Sequence, residues 1–429
     1  MRLQPWWYSR TPVEPGASLR HRVTADVVVV GGGMAGLHAA LRLNAEGARV
    51  VLLEKSICGG GMSGLSSGFL TPDSEMGLRE LSRRFGVKRA SALWAIAWDG
   101  VRLIASTARE HAFDCDLCEC DCLFVGDGPR GAAAVRAENQ AHLDTGYTAV
   151  RYDHEALTAV HPGGYAGGLR YGGTWTIDPF AYCRALRTLL VERGVQVYEN
   201  TEVSALDGTT AVTSQGAATA GCIVWCANQL SPRISPRAYR QYSVAETCLS
   251  ITEPLFADQI AAVFPAAPLQ CWDSDLIYNY YRLTGDGRLL LGGGSLWMSI
   301  AGRATPAEAA ASAGITRLKR RFPVLDGVEF CAYWPGLIDV TRDLMPVADA
   351  DPVRPHVFFI FGCAGLPWAA WCGDHIAGRI GGAPATDVAS LLRWDRTPFI
   401  PDALQSVLGK PASFALDFFA IKNGARYRE

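Results

Sequence analysis

The stretch from Asp26 to Glu54 constrains this chain more than any other. It opens with Asp26-Val27-Val28-Val29-Val30, a β-branched run with the length of a strand buried on both faces. Gly31-Gly32-Gly33-Met34-Ala35-Gly36 follows with the spacing G-x-G-x-x-G, and each spaced glycine has a physical task. Gly31 turns the chain tightly, Gly33 lets the backbone approach a pyrophosphate, and Gly36 lets a helix lie close against the sheet. Apolar positions at Leu37, Ala40, Leu41 and Leu43 predict that helix, with a stop at Gly47. Its first N–H groups, at Met34 and Ala35, suit a pyrophosphate. A second strand over 49–54 ends on Glu54, where a dinucleotide-binding unit places a carboxylate for a ribose hydroxyl pair. The glycine spacing alone would be a weak signal, but strand, turn, helix, strand and terminal acid together read as a dinucleotide site.

The remaining bulk properties narrow the class. A chain of 429 residues exceeds what one core usually reaches, so two domains are expected. A formal net charge of −2 excludes a charge-driven partnership with nucleic acid or an anionic membrane, which leaves small molecules as ligands. Thirteen cysteines, an odd number, and a Met1–Thr24 segment without a continuous apolar run predict reduced thiols in a cytoplasmic protein. No membrane span is expected either. The most apolar uncharged run, 357–373, is too short and is interrupted by Gly362, Gly365 and Pro367, so it reads as strand, turn and helix start.

After Glu54 comes Lys55-Ser56-Ile57-Cys58-Gly59-Gly60-Gly61-Met62-Ser63-Gly64-Leu65-Ser66-Ser67-Gly68, a loop of glycines and hydroxyls able to wrap a second ligand surface. A nicotinamide-only enzyme has no need of it. Here the chain resembles the FAD-dependent oxidoreductases of the D-amino-acid oxidase, glycine oxidase and sarcosine oxidase group, whose loop after the acid is similar to Gly61-Met62-Ser63-Gly64 and Ser66-Ser67-Gly68. Further blocks carry the resemblance. They are Gly172-Gly173-Thr174-Trp175-Thr176-Ile177-Asp178-Pro179, the segment 334–346 with Trp334, Gly336, Thr341, Asp343 and Pro346, and Phe358–Trp368. The stretch 280–294 and the aromatic N-terminal arm resemble the gamma-glutamylputrescine oxidoreductase branch.

That resemblance implies FAD as cofactor. Gly31, Gly33, Met34, Ala35, Gly36, Glu54, Lys55, Gly61, Ser63, Ser66, Ser67, Gly68, Val203, Cys226, Ala227, Gly336, Asp343, Gly365, Leu366 and Pro367 would hold it. It also implies an α/β fold in which a Rossmann-type FAD-binding domain (1–80, 150–230 and 334–429) is interleaved with an α+β, antiparallel-sheet substrate domain (81–149 and 231–333). One departure stands out. Where the branch has a G-H-G turn over the flavin, this chain has Gly365-Leu366-Pro367, which lacks the imidazole and one backbone donor.

Periodicity fills in the rest. Helical spacing from Gly77 to Ala112 predicts two helices broken near Gly86, and helices are also expected over 180–193 and 306–322. Strands are expected over 195–203, 222–228, 246–252, 276–282 and 288–292. Alternation at Cys118, Cys120, Cys122 and Phe124 predicts one half-buried strand. Its thiols, with Cys115, are stacked along a line unsuited to a tetrahedral metal site, so no metal is expected.

For chemistry, FAD carries the redox step and the protein positions a C–H bond beside it. Hydride transfer from the carbon next to nitrogen would give an imine, so the substrate is expected to be a small amine or amino acid. A general base is optional, because the amine can enter neutral. Tyr281 and Arg282 on a strand facing the ring, with Trp334 and Trp368 as walls, are the candidate substrate contacts, and the planar fork of Arg282 could clamp a carboxylate. Cys331 reads as buried filler, not a flavin tether. The family's oxygen-activating lysine has no counterpart here, because no lysine occurs between Lys88 and Lys319. That leaves another electron acceptor, or a partner subunit, to take the electrons. Two other readings stay open: a catalytically weak FAD-binding subunit of a complex, and a flavin monooxygenase suggested by Gly373-Asp374.

Overall fold

The computed structural model describes the whole chain except residues 74–75, 276–277, 295–305, 385–386, 397 and 423–429. Of the expected strand over 276–282, the first two residues therefore lie outside the described residues, and the strand runs Tyr278–Leu283.

The valine run forms the strand Val27–Val30 at the heart of a six-stranded sheet, and all four side chains are buried. The sheet order is Gln196–Tyr198, Val50–Leu53, Val27–Val30, Cys222–Trp225, Val357–Phe361, Val347–Ala350. All pairings are parallel except the last, so crossovers cover both faces. On one face lie the helices Met34–Ala45, Val87–Glu110, Pro179–Glu192 and Leu366–Ile380. On the other lies a four-stranded sheet that includes Val203–Asp207. Burying a valine fully contributes roughly 1.5 kcal/mol of transfer free energy, which is why an uninterrupted β-branched run ends up in the middle layer.

The two helices on the expected break are Leu78–Phe85 and Val87–Glu110, joined at Gly86 with φ +81°. The predicted helix over 180–193 is Pro179–Glu192; its Asp178 carboxylate caps it by accepting from the Phe180 and Ala181 N–H groups.

A second sheet has nine strands. Its order is Arg2–Leu3, Phe330–Thr341, Tyr242–Pro254, Arg288–Gly294, Tyr278–Leu283, Gln270–Asp273, Cys122–Gly126, Gly167–Tyr171, Val150–Asp153. Sheet membership does not follow the expected segments throughout. Val150–Asp153 and Gly167–Tyr171 pair in the nine-stranded sheet although they fall within 150–230, and Phe330–Thr341 continues in it past residue 334.

The expected single strand over 118–124 is two strands in two sheets. Cys118–Glu119 pairs with Trp175–Thr176 in a small three-stranded sheet, whereas Cys122–Gly126 lies between Gln270–Asp273 and Gly167–Tyr171. Asp121, paired with Arg170 at 2.7 Å, marks the break. Leu123 and Val125 are as buried as Cys122, so both faces of this strand are covered and the alternation misled. Among the described residues, no three His, Cys, Asp or Glu side chains are placed to share a metal ion, and no helix is long and apolar enough to cross a membrane.

Candidate active site

The glycine turn stands at the carboxyl end of Val27–Val30. Gly31 has φ +107°, and a Cβ there would sit 2.9 Å from the Ala227 nitrogen, so only glycine lets the turn meet the end of Cys222–Trp225. The Cys226 N–H donates to the Val30 carbonyl at 2.8 Å, which completes that junction. A Cβ on Gly36 would collide with the Gly31 carbonyl oxygen, and one on Gly373 with the Ala35 carbonyl, so Met34–Ala45 packs hard against both the turn and the helix Leu366–Ile380. Gly373-Asp374 is therefore a helix-packing feature, with Asp374 paired to Arg42 at 2.7 Å, and lends nothing to the monooxygenase reading.

Glu54 ends the second strand as expected. Its carboxylate accepts from the Gly32 and Ser56 N–H groups, both at 2.8 Å, which fixes it beside the turn. Thr201, two residues before Val203, donates its N–H to the Glu54 carbonyl at 2.8 Å and brings the start of Val203–Asp207 to the same place. Lys55 is exposed. Ser63 accepts from the Met34 N–H at 2.8 Å, so the loop folds back on the helix start.

How the loop is held was not legible in the sequence. Several of its carbonyls are taken by side-chain donors from distant parts of the chain. Tyr8 donates to Gly60 at 2.7 Å, Trp334 to Leu65 at 3.0 Å, Trp7 to Ser66 at 2.9 Å and Arg282 to Ser67 at 2.7 Å. Buried Glu199 accepts from the Cys58 N–H at 2.7 Å and pairs with Arg184. Burial works to raise the Glu199 pKa, but the Cys58 and Gly16 N–H groups and Arg184 outweigh it and lower it. Met62 completes the frame: a Cβ on Gly336 would meet its methyl at 2.7 Å.

These contacts correct several expected roles. Arg282 is 2% exposed, and its guanidinium donates to the carbonyls of Ser67, Leu283 and Ile177 at 2.7 to 2.9 Å. It is a tie between the loop and the second sheet, not a clamp waiting for a carboxylate. Burial pulls its pKa down to about 10. Tyr281 is 0% exposed and points the other way, with its hydroxyl 2.6 Å from His161 Nε2 in the core behind the nine-stranded sheet. Trp334 anchors the loop. Trp368 is buried at the start of Leu366–Ile380, and its Nε1 has no partner among the described residues. The Asp343 carboxylate is engaged within the protein: it accepts from Arg396 Nε at 2.6 Å and from Thr341 at 2.9 Å, and Arg84 lies 3.6 Å away. Burial is outweighed by Arg396 and Arg84, which hold its carboxyl down at about 2. Cys331 donates weakly to the Ile251 carbonyl at 3.5 Å.

Strand register shows which residues take the place of Tyr281. Directly paired residues share a face, so Cys122, Gln270 and Tyr171 point the same way as Phe124, Trp272, Tyr280 and Arg282. This is the face that receives the loop. It carries an aromatic wall: Phe69 lies edge-on to Tyr280 at 5.7 Å, Tyr280 sits 5.9 Å from Tyr278, and Trp272 lies between Phe124 at 6.4 Å and Tyr171 at 6.3 Å. The run Tyr278-Asn279-Tyr280-Tyr281 has aromatics on both parities, so alternation could not choose between Tyr280 and Tyr281.

The Gly365-Leu366-Pro367 turn closes the site. Gly365 has φ +108° and caps Leu366–Ile380, with Gly100 packed on the Pro367 backbone. A Cβ on Gly365 would find nothing nearer than the Asp73 carbonyl at 3.8 Å, and one on Gly61 nothing within 4 Å, whereas Gly59, Gly64 and Gly68 are crowded by protein. Among the described residues, the cradle thus leaves open space at Gly61 and Gly365, whereas the Gly31 turn is closed by the Ala227 backbone.

Residues 26–379 match the family described as FAD dependent oxidoreductase. The chain belongs to that family. It is an FAD-dependent oxidoreductase. It is 28% identical over 392 residues to gamma-glutamylputrescine oxidoreductase from Escherichia coli, covering 90% of this chain and 87% of that protein. It is 27% identical over 371 residues to the probable oxidoreductase OrdL of Haemophilus influenzae, covering 83% of this chain and 81% of that one. Among solved structures, glycine oxidase from Geobacillus kaustophilus superposes with a TM-score of 0.73 at 20% identity over 88% of this chain and 99% of that one. L-amino acid deaminase from Proteus vulgaris gives 0.73 at 16% identity over 92% of this chain and the whole of that one. Both likenesses establish the mixed α/β fold.

Proposed function

We propose that this enzyme oxidises the carbon–nitrogen bond of a small amine or amino acid to an imine, which water then hydrolyses. The FAD it binds supplies a two-electron acceptor for hydride from the carbon next to nitrogen. The observation that carries the reading is the opposition of two surfaces: a glycine-lined cradle ending at Gly365, and an aromatic sheet face set against it. Such a gap positions a slender molecule flat against a ring and keeps water from it, which is most of what the protein must contribute to hydride transfer. The named relatives add support, since gamma-glutamylputrescine oxidoreductase, glycine oxidase and L-amino acid deaminase are all named for nitrogen-bearing substrates.

The proposed residue roles follow the geometry. Gly31, Gly33, Met34, Ala35 and Gly36 receive the pyrophosphate, Glu54 the ribose, and Val203, Cys226 and Ala227 flank the adenosine half. Gly61, Ser63, Ser66, Ser67, Gly68, Gly336, Gly365, Leu366 and Pro367 flank the flavin half. Product analysis tests the reading. Turnover with an active amine should release carbonyl product and ammonia or amine in equal amounts; a hydroxylated product, or consumption of reduced pyridine nucleotide, would overturn it.

A further inference from the structure

The last two helices of the described chain are apolar on their outer as well as their inner sides. Lys410–Lys422 buries Phe414, Phe418 and Ile421 in the core beside the cofactor sheet. Its Leu416 and Phe419, three apart and so on one stripe, face outward, and Phe419 is 58% exposed. Asp402–Leu408, joined to it at Gly409, presents Leu404, Val407 and Leu408 in the same way, and Val407 is 79% exposed. A helix that is hydrophobic all round belongs in surroundings that cover every side, so these outer stripes call for a further layer. Five of the sixteen large apolar side chains exposed among the described residues fall within 404–419, which is a concentrated patch and not the scatter of single residues that any surface shows.

A basic rim adjoins the patch. Gln405 Nε2 donates to the Arg240 carbonyl at 3.2 Å, and Lys410 Nζ to the Tyr239 carbonyl at 2.7 Å, so the short helix Pro236–Gln241 lies beside both of these helices. Arg233, Tyr239 and Arg240 are exposed there, and no acid occurs from 231 to 245. Lys410 lies over the Tyr239 ring at 4.0 Å. Between Asp402 and Glu429 the one acid in the sequence is Asp417, which is buried and paired with Arg342 at 2.6 Å, whereas Lys422, Arg426 and Arg428 add positive charge. The net charge of −2 averages over the whole chain and conceals this concentration.

We infer that this face docks on the surface of a membrane that contains anionic lipid. The apolar stripes enter the boundary between headgroups and acyl chains, the arginines meet lipid phosphates, and Tyr239 takes the level between them that an aromatic ring with a polar tip favours. Helices of 7 and 13 residues are too short to cross a bilayer, so they lie on it. A second copy of the chain is the poorer occupant, because a two-fold contact would set the rim against itself, arginine facing arginine. An anionic lipid surface complements the apolar stripes and the rim together.

The test is flotation of the FAD-loaded enzyme with vesicles of phosphatidylcholine alone and of phosphatidylcholine mixed with phosphatidylglycerol. The mixed vesicles should carry the enzyme up the gradient, the neutral ones should carry little, and added salt should release it. Arg233→Gln combined with Arg240→Gln should weaken binding about thirtyfold, the worth of two cations at an anionic surface, and Val407→Glu combined with Phe419→Glu should weaken it by at least about tenfold. All four side chains are exposed, so flavin content and melting temperature should stay at their wild-type values. Where the glutamate pair unfolds the protein, the arginine pair and the salt dependence decide alone. No flotation with mixed vesicles, equal flotation with neutral ones, or unweakened binding by the arginine pair overturns the inference. A dimer in sedimentation velocity that Val407→Glu dissociates also overturns it, by assigning the face to a second copy.

Discussion

Replacing Arg282 with methionine separates two accounts of this residue sharply. In the structure the guanidinium joins the cofactor loop at Ser67, the segment before the helix Pro179–Glu192 at Ile177, and its own strand at Leu283. A hydrogen bond from a charged donor is worth roughly 1.5–3 kcal/mol, and two of these three bonds tie elements far apart in sequence. Methionine fills much of the volume but leaves the Ser67 and Ile177 carbonyls buried without donors. Against this, the mutation removes the cost of a buried cation, which is evident in the pKa lowered to about 10. The balance is a loss of about 3 kcal/mol, at the upper end of ordinary single substitutions. Urea unfolding followed by tryptophan fluorescence should show the midpoint fall, and flavin should be released at lower urea than in wild type. KM of whatever enzyme remains folded and flavin-loaded should change little. An Arg282→Met protein with unaltered unfolding but a KM raised many-fold would refute this reasoning and restore the residue as a substrate clamp.

Other outcomes follow from the same geometry. Gly36→Ala puts a methyl into the Gly31 carbonyl, so the variant should purify with FAD affinity at least about tenfold weaker, read from the ratio of flavin to protein absorbance; full flavin content would contradict the close packing. Asp343 titrates near 2 in the folded chain against 3.8 when free, so its contribution is fully present above about pH 4 and lost as pH falls toward 2. Stability should drop by about 2 kcal/mol across that window, and Asp343→Asn should remove that part of the acid dependence. With no lysine between Lys88 and Lys319, reoxidation of the reduced flavin by air in stopped flow should be slow beside an artificial acceptor such as a quinone; rapid reoxidation would show that another positive group does that work.

The cofactor half of this molecule was legible because its constraints are local. The valine run, the three spaced glycines and Glu54 lie within one short unit, and each is required by backbone geometry that sequence spacing reports directly. The substrate half was not, because its constraints come from register and long-range contact. Tyr281 and Arg282 look like site residues in a strand rich in aromatics, yet one faces the rear core and the other is consumed by loop carbonyls. A shift of one residue exchanges Tyr281 for Tyr280, and nothing in the run specifies the parity. The cysteine alternation failed for a related reason: Cys118 and Cys122 belong to different sheets, and the break at Asp121 is set by a partner 49 residues away, Arg170. The loop anchors Tyr8, Trp7 and Glu199 were hidden in the same way, since each acts more than 50 residues from its own position.

The central claim is that the bound FAD takes hydride from the carbon beside a substrate nitrogen. Anaerobic stopped-flow reduction of the holoenzyme, comparing an active amine with the same amine deuterated at that carbon, addresses it most directly. The account requires that the flavin bleach in a single turnover and that deuterium slow the bleaching step. Bleaching at the same rate with both isotopes, or no bleaching by any amine or amino acid, would contradict it.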